Sequence, residues 1–220
     1  MREPKQERAV RTRAIILRAA AEAFDELGFK GANIREITQR AGITQGAMYF
    51  HFKSKEALAR AVMTAQPTTV VPHTITTGLQ RLVDVTFVWS HRLRQDVLLR
   101  AGVRLTGEQH SFDVQDSTPY EEWTEVLAEC LREAREAGEL AEHVEIESLA
   151  DFVVSACTGM QMHSQIVCGR RDLTDRAVAM WRHLLPALCA KGSHRAIDIS
   201  PQRAAAFADG GLPPGERPDE

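Results

Sequence analysis

The chain has 220 residues, 44% hydrophobic and 26% charged, the balance of a globular protein large enough for one sizeable domain or a small domain with a larger partner. No run approaches the roughly 20 continuous apolar residues that a bilayer-spanning helix needs, and the opening MREPKQERAVRTR lacks the apolar segment of a signal peptide, so a cytoplasmic location and no membrane partner are expected. The net charge of −3 hides an asymmetry: residues 1–60 carry 12 Lys/Arg against 7 Asp/Glu, and the remainder 15 against 23, a basic head on an acidic body, as expected where one end meets a polyanion.

Helical periodicity dominates in chain order, and strand signals are nearly absent. Ile15, Ile16, Ala19, Ala20, Ala23, Phe24 and Leu27 recur at spacings of three and four, the apolar stripe of an amphipathic helix from Arg8 to Leu27, with Gly28 as its C-terminal stop. Asn33 is placed to cap a second helix through Ile37 and Ala41 that Gly42 ends, and Thr44 to cap a third, from Gln45 to about His51. Ser54 opens a fourth and longer helix. Pro67 and Pro72 bracket a break. Further helices are predicted at Leu79–Arg94, Val97–Leu105, Glu121–Ala137, Ile146–Cys168 and Leu173–Ala190, with a loop over Gly107–Pro119. From 192 to 220 the chain turns rich in Gly, Pro and Ala and reads as a flexible tail, with a short helix around Arg203–Phe207. The predicted fold is all-α: a head of short helices over 1–53, a linking helix over 54–66, and a helical body over 67–191.

Cys130, Cys157, Cys168 and Cys189 are isolated in apolar helical context, without a Cys/His cluster of zinc spacing. They read as buried reduced thiols, and no metal or cofactor is expected.

The run IREITQRAGITQGAMYFHFKSKEAL is a helix, a glycine turn and a second short helix, the shape whose second helix enters a DNA major groove. Gly46 and Ala47 keep one face of that helix low, so that its backbone can approach closely. Phe50 and Phe52 are expected in the core, facing the first and fourth helices.

Within this run, T-x-G-x-x-Y-x-H-F followed by K-x-x-L resembles the DNA-binding domain of the tetracycline-repressor (TetR) family over about residues 8–62. The resemblance implies phosphate contacts by Tyr49 and His51, a DNA-backbone contact by Lys55, and a capping and phosphate role for Thr44. It also places Arg35 where a guanine edge is read and Gln45 where adenine is bonded, geometries that suit a guanidinium fork and a carboxamide. Arg11 and Arg13 are within reach of flanking phosphates without a fixed family role.

The body phrases VLLRAGVRLT, PYEEWTEVL, AREAGEL and DFVVSACTGMQ resemble the γ-butyrolactone-type autoregulator receptors and pseudo-receptors, a branch of the same family. That resemblance implies a homodimeric repressor on a palindromic double-stranded operator, associated with the nucleoid, with residues 1–53 as the helix-turn-helix DNA-binding domain and 67–191 as the effector-binding and dimerisation domain. A lactone- or butenolide-like signal would release it to switch on antibiotic or secondary-metabolite genes. In a pseudo-receptor, the alternative, an antibiotic or intermediate is the effector. A pI of about 6.3 favours the receptor. Trp123 is implied as a wall for the effector ring, with Gln66 and Thr158 as polar contacts. The competing class is an enzyme, but no GxSxG, HExxH, P-loop or dinucleotide fingerprint occurs, and no catalytic residue is expected.

Overall fold

The computed structural model describes residues 5–71, 75–112, 114–190 and 197–206. Among them are ten α-helices: α1 (Lys5–Gly31), α2 (Ile34–Ala41), α3 (Gln45–His51), α4 (Lys55–Thr64), α5 (Gly78–Arg92), α6 (Val97–Glu108), α7 (Thr118–Glu136), α8 (Ile146–Cys168), α9 (Leu173–Leu188) and α10 (Pro201–Ala206). The one described extended pairing is an isolated bridge between Leu140 and Cys189. The fold is all-α, as the periodicity predicts.

The helices form two compact units. The first takes its described residues from the first 69 and from 96–119; the second takes them from 70–95 and from 120 onward. The first unit is therefore larger than the expected head, because α6 joins it. Its core gathers Ile16, Ala20 and Phe24 of α1, Ile37 of α2, Met48 of α3, Leu58 and Val62 of α4, and Ala101 and Leu105 of α6, all fully buried. Each large side chain of this set contributes about 1.5–3 kcal/mol by leaving water.

Two boundaries in this unit differ from expectation. Gly28 does break α1, with φ 69° and ψ 179°, but the chain resumes helical turns to Gly31. The positive φ favours glycine there, and a β-carbon would also displace the side-chain tips of Arg104 and Glu108, each 2.8 Å away. The predicted loop from Gly107 is also shortened. The Arg104–Glu108 ion pair (2.7 Å) and the Thr106 hydroxyl, which donates to Gly102 O, brace α6 across Gly107 to Glu108, and a 3-10 turn, Gln109–Phe112, follows.

In the second unit α5 is buried around its whole circumference from Leu82 to Ser90, so it is the central helix of that unit. Trp181 of α9 is fully buried and donates its indole N–H to Thr86 Oγ1 at 2.7 Å. Asp84, mid-way along α5 and fully buried, accepts from Arg203 Nε at 2.6 Å and Nη2 at 2.7 Å. The flexible tail expected from 192 is corrected over its described part. Residues 201–206 form α10, which lies against α5 and α9, because a buried carboxylate on an apolar helix needs a counter-charge. The rest of the predicted Arg203–Phe207 helix, Phe207 itself, lies outside the described residues. Cys130, Cys157 and Cys189 are buried and Cys168 is half-buried; none is in a disulfide.

Candidate nucleic-acid interface

The helix-turn-helix is built by local capping. Asn33 Oδ1 accepts from Glu36 N at 2.9 Å to start α2, and Gly42 ends it in the left-handed region (φ 65°, ψ 33°), where a side chain would cost energy. Its N–H and that of Ile43 close back on Gln39 O and Thr38 O. Thr44 Oγ1 then accepts from Ala47 N at 3.2 Å and starts α3. Arg40 ties α2 to α1 through both oxygens of Glu26 (3.0 and 2.7 Å) and also bonds Glu36. Ser54 caps α4 by accepting from Ala57 N.

Of the sequence-predicted DNA residues, Arg35, Thr44, Gln45, Gly46 and Tyr49 are exposed, while His51 and Lys55 are half-buried. A β-carbon at Gly46 would meet nothing closer than Thr44 Oγ1 at 3.9 Å. No neighbour in the described structure therefore demands glycine there, and α3 has a low outer profile at that position. Lys55 Nζ stands 4.2 Å over the Phe29 ring, and burial lowers its ammonium below the ordinary lysine value. The Arg13 guanidinium lies 5.0 Å over the Phe52 ring, so this arginine also braces the core.

Phe50 corrects an expectation. Phe52 is buried at 5% exposure, but Phe50 is 76% exposed and meets the His51 ring edge-on at 5.3 Å. Helical geometry gives the reason: at about 100° per residue, position 50 lies some 200° around α3 from the buried Met48, and position 52 only about 40°. That signal was available in the spacing. The exposed side of α3 thus carries an aromatic side chain that sequence reasoning placed in the core.

The three residues assigned to an effector do not fall in one unit. Gln66 belongs to the first, buried at 3%, where its Nε2 donates to Met63 O (2.9 Å) and Thr106 Oγ1 (3.3 Å). Trp123 of α7 and Thr158 of α8 belong to the second and are half-buried. The Thr158 hydroxyl donates to Val154 O at 2.9 Å, which leaves its lone pairs for a donor. In the same unit α8 exposes Phe152, Met162, Ile166 and Val167. An open groove between α8 and α9 is lined by Gly159, Met160, His163, Arg176, Ala179, Met180 and His183.

Residues 16–62 match the family described as bacterial regulatory proteins, tetR family, and residues 76–190, just over half of the chain, match the tetracyclin repressor-like C-terminal domain. The chain belongs to the TetR family. Among its TetR-family relatives, the A-factor receptor protein of Streptomyces griseus is 39% identical over 188 residues, covering 86% of this chain and 67% of that protein. The crystal structure of TylP, a TetR regulator from Streptomyces fradiae, superposes with a TM-score of 0.84 at 37% identity, covering 92% of this chain and 98% of the other. A γ-butyrolactone receptor described as ArpA-like superposes with a TM-score of 0.66 at 27% identity, covering 92% and 98%. The likeness thus extends to the γ-butyrolactone-receptor branch of the TetR family. Membership makes the chain a DNA-binding regulator and answers the enzyme alternative. Among the described residues no helix is long and apolar enough to cross a membrane, and no group of three or more His, Cys, Asp or Glu is arranged to hold a metal.

Proposed function

We propose that this TetR-family regulator is a homodimeric repressor that holds a palindromic operator through two copies of α3. A small signal of the lactone or butenolide class, bound by the helical body, would release it and switch on antibiotic or secondary-metabolite genes. The observation that carries the DNA half is the outer face of α3. Gln45, Gly46 and Tyr49 stand exposed on a helix whose inner side, Met48, is locked into a fully buried core. A rigid short helix with a low, polar outer side suits a major groove, and the basic head supplies the non-specific attraction.

One such helix reads only a few base pairs, and two-fold pairing is the usual remedy. The exposed apolar residues of α8, Phe152, Met162, Ile166 and Val167, support its use as the dimer seam, since large apolar side chains left in water on one helix invite a partner. The signal class rests on the likeness to the A-factor receptor and the γ-butyrolactone receptor. Trp123 and Thr158, both of the second unit, are the proposed effector contacts, with the indole as the large apolar wall; Gln66, buried in the first unit with its amide bonded to Met63 and Thr106, is not among them.

A gel shift with the chain's own upstream region tests this, run beside a random duplex of equal length and followed by sedimentation of the complex. The expected result is two protomers per palindrome, dissociated by extract of the producing culture. A monomeric protein, or equal binding to both duplexes at physiological salt, would remove the proposal.

A further inference from the structure

The Lys55 ammonium does not stand free on the surface of the first unit; it rests 4.2 Å above the face of Phe29. That ring is fixed with unusual care. It is 6% exposed, stacks on Phe24 at 6.0 Å between centroids, and stacks on Phe112 at 3.9 Å. The backbone N–H of Phe29 donates to Glu108 Oε2 at 3.1 Å, directly after the Gly28 break. Arg104, paired with Glu108, donates to Asp25 O at 2.6 Å. The end of α6 and the turn after it therefore hold the segment that carries the ring.

We propose that Phe29 is a positioning residue for Lys55 and that Glu108 and Phe112 set the ring, so that the grip of the head on a DNA phosphate is tuned from residues 104–112. This deepens the DNA-binding reading and rests on it. The physics is pre-organisation. A lysine side chain has four freely turning methylene links and loses much rotational freedom when its ammonium must meet one phosphate. An aromatic face under the ammonium restricts it beforehand, by attraction between the cation and the ring quadrupole. One side of the ammonium then faces the ring, and a phosphate oxygen engages from the side away from it. The ring itself has no polar atom, so it is held by stacking on Phe112 and by the Glu108 bond that fixes its backbone.

The test uses the full-length protein, a palindromic duplex selected from a random library by the wild type, and binding measured across a salt series. Lys55→Ala should lower the slope of log affinity against log salt by about one, as expected for one phosphate contact. Phe112→Leu should lower both affinity and slope in the same direction, and the double variant should bind no more weakly than Lys55→Ala alone. With reductively 13C-methylated lysines, the Lys55 signal of the free protein should be shifted upfield by the Phe29 ring, and Phe112→Leu should reduce that shift. If Phe112→Leu fails to fold, Glu108→Gln takes its place, since it keeps the shape and weakens the bond to Phe29 N–H.

An unchanged slope in the folded variant, losses that add to those of Lys55→Ala, or a Lys55 signal without ring shift would overturn the proposal. Absence of any selected duplex would instead remove the DNA-binding reading, and the ring shift would still report on Lys55.

Discussion

Replacing Arg203 by Ala removes the partner of a carboxylate that has no exposure at all. Asp84 sits at 0% and Arg203 at 5% side-chain exposure, joined by two bonds of 2.6 and 2.7 Å. Thr76 Oγ1 and Gln80 Nε2 also donate to Asp84, but neither brings charge. Breaking a buried pair from one side leaves an uncompensated charge and costs about 3–5 kcal/mol. At about 2–4 °C per kcal/mol for a chain of this size, the midpoint should fall by roughly 6–20 °C. The assay is urea and thermal unfolding followed by circular dichroism. Protein concentration must be held fixed, because association would make the midpoint concentration-dependent. Asp84→Leu combined with Arg203→Met removes both charges and should recover most of the loss, since apolar replacement of a buried pair is often neutral. A loss below about 1 kcal/mol for Arg203→Ala would refute the docking of α10 as a stabilising element, because an isolated buried charge cannot be that cheap.

Gln45→Ala should cost about 1–3 kcal/mol of operator affinity and relax the preference at one position per half-site, read by binding to a panel of single-base variants; equal losses on all sequences would make it a backbone contact. Phe50→Ala should leave unfolding midpoints unchanged, because the ring is 76% exposed, while weakening binding to operators that carry a thymine methyl beneath it; replacing thymine by uracil there should abolish the difference. Trp123→Ala should leave operator binding intact and abolish release by culture extract, whereas loss of folding would assign the indole to the core. Burial pushes the Cys157 thiol up to about 12 from an ordinary value near 9. The native state therefore keeps a proton that the unfolded chain loses, and stability should fall as pH rises from 9 towards 12. Burial raises Cys130 to about 12 as well, so Cys157→Ala should lessen that fall in urea titrations and the double variant with Cys130→Ala should lessen it further.

Local signals carried most of the fold. α8 is found over the predicted Ile146–Cys168, since a long apolar run ends at a glycine in the left-handed region, and Asn33, Thr44 and Ser54 cap the helices they were expected to cap. What escaped is non-local. Arg203 meets Asp84 across 119 positions, and Phe29 meets Phe112 through a turn that follows a helix of another part of the chain. No periodicity encodes such pairs. Phe50 is a different failure: aromatic character was weighed above its angle on the helix, and the angle decided. In the effector set, the side chain of Gln66 is committed to Met63 and Thr106, partners that spacing alone does not disclose.

The empty surroundings of Gly46 set an evolutionary tension. With no neighbour closer than 3.9 Å to a β-carbon, alanine would be accommodated and, in the first turn of α3, would add some helix stability, less than the roughly 1 kcal/mol of a helix interior. A chain free to drift would gain from that exchange, yet in the proposed complex it would raise a bump on the side of α3 turned to the operator. The same vacancy makes position 46 the place where promoter choice could be rewritten by substitution without disturbing how the protein folds.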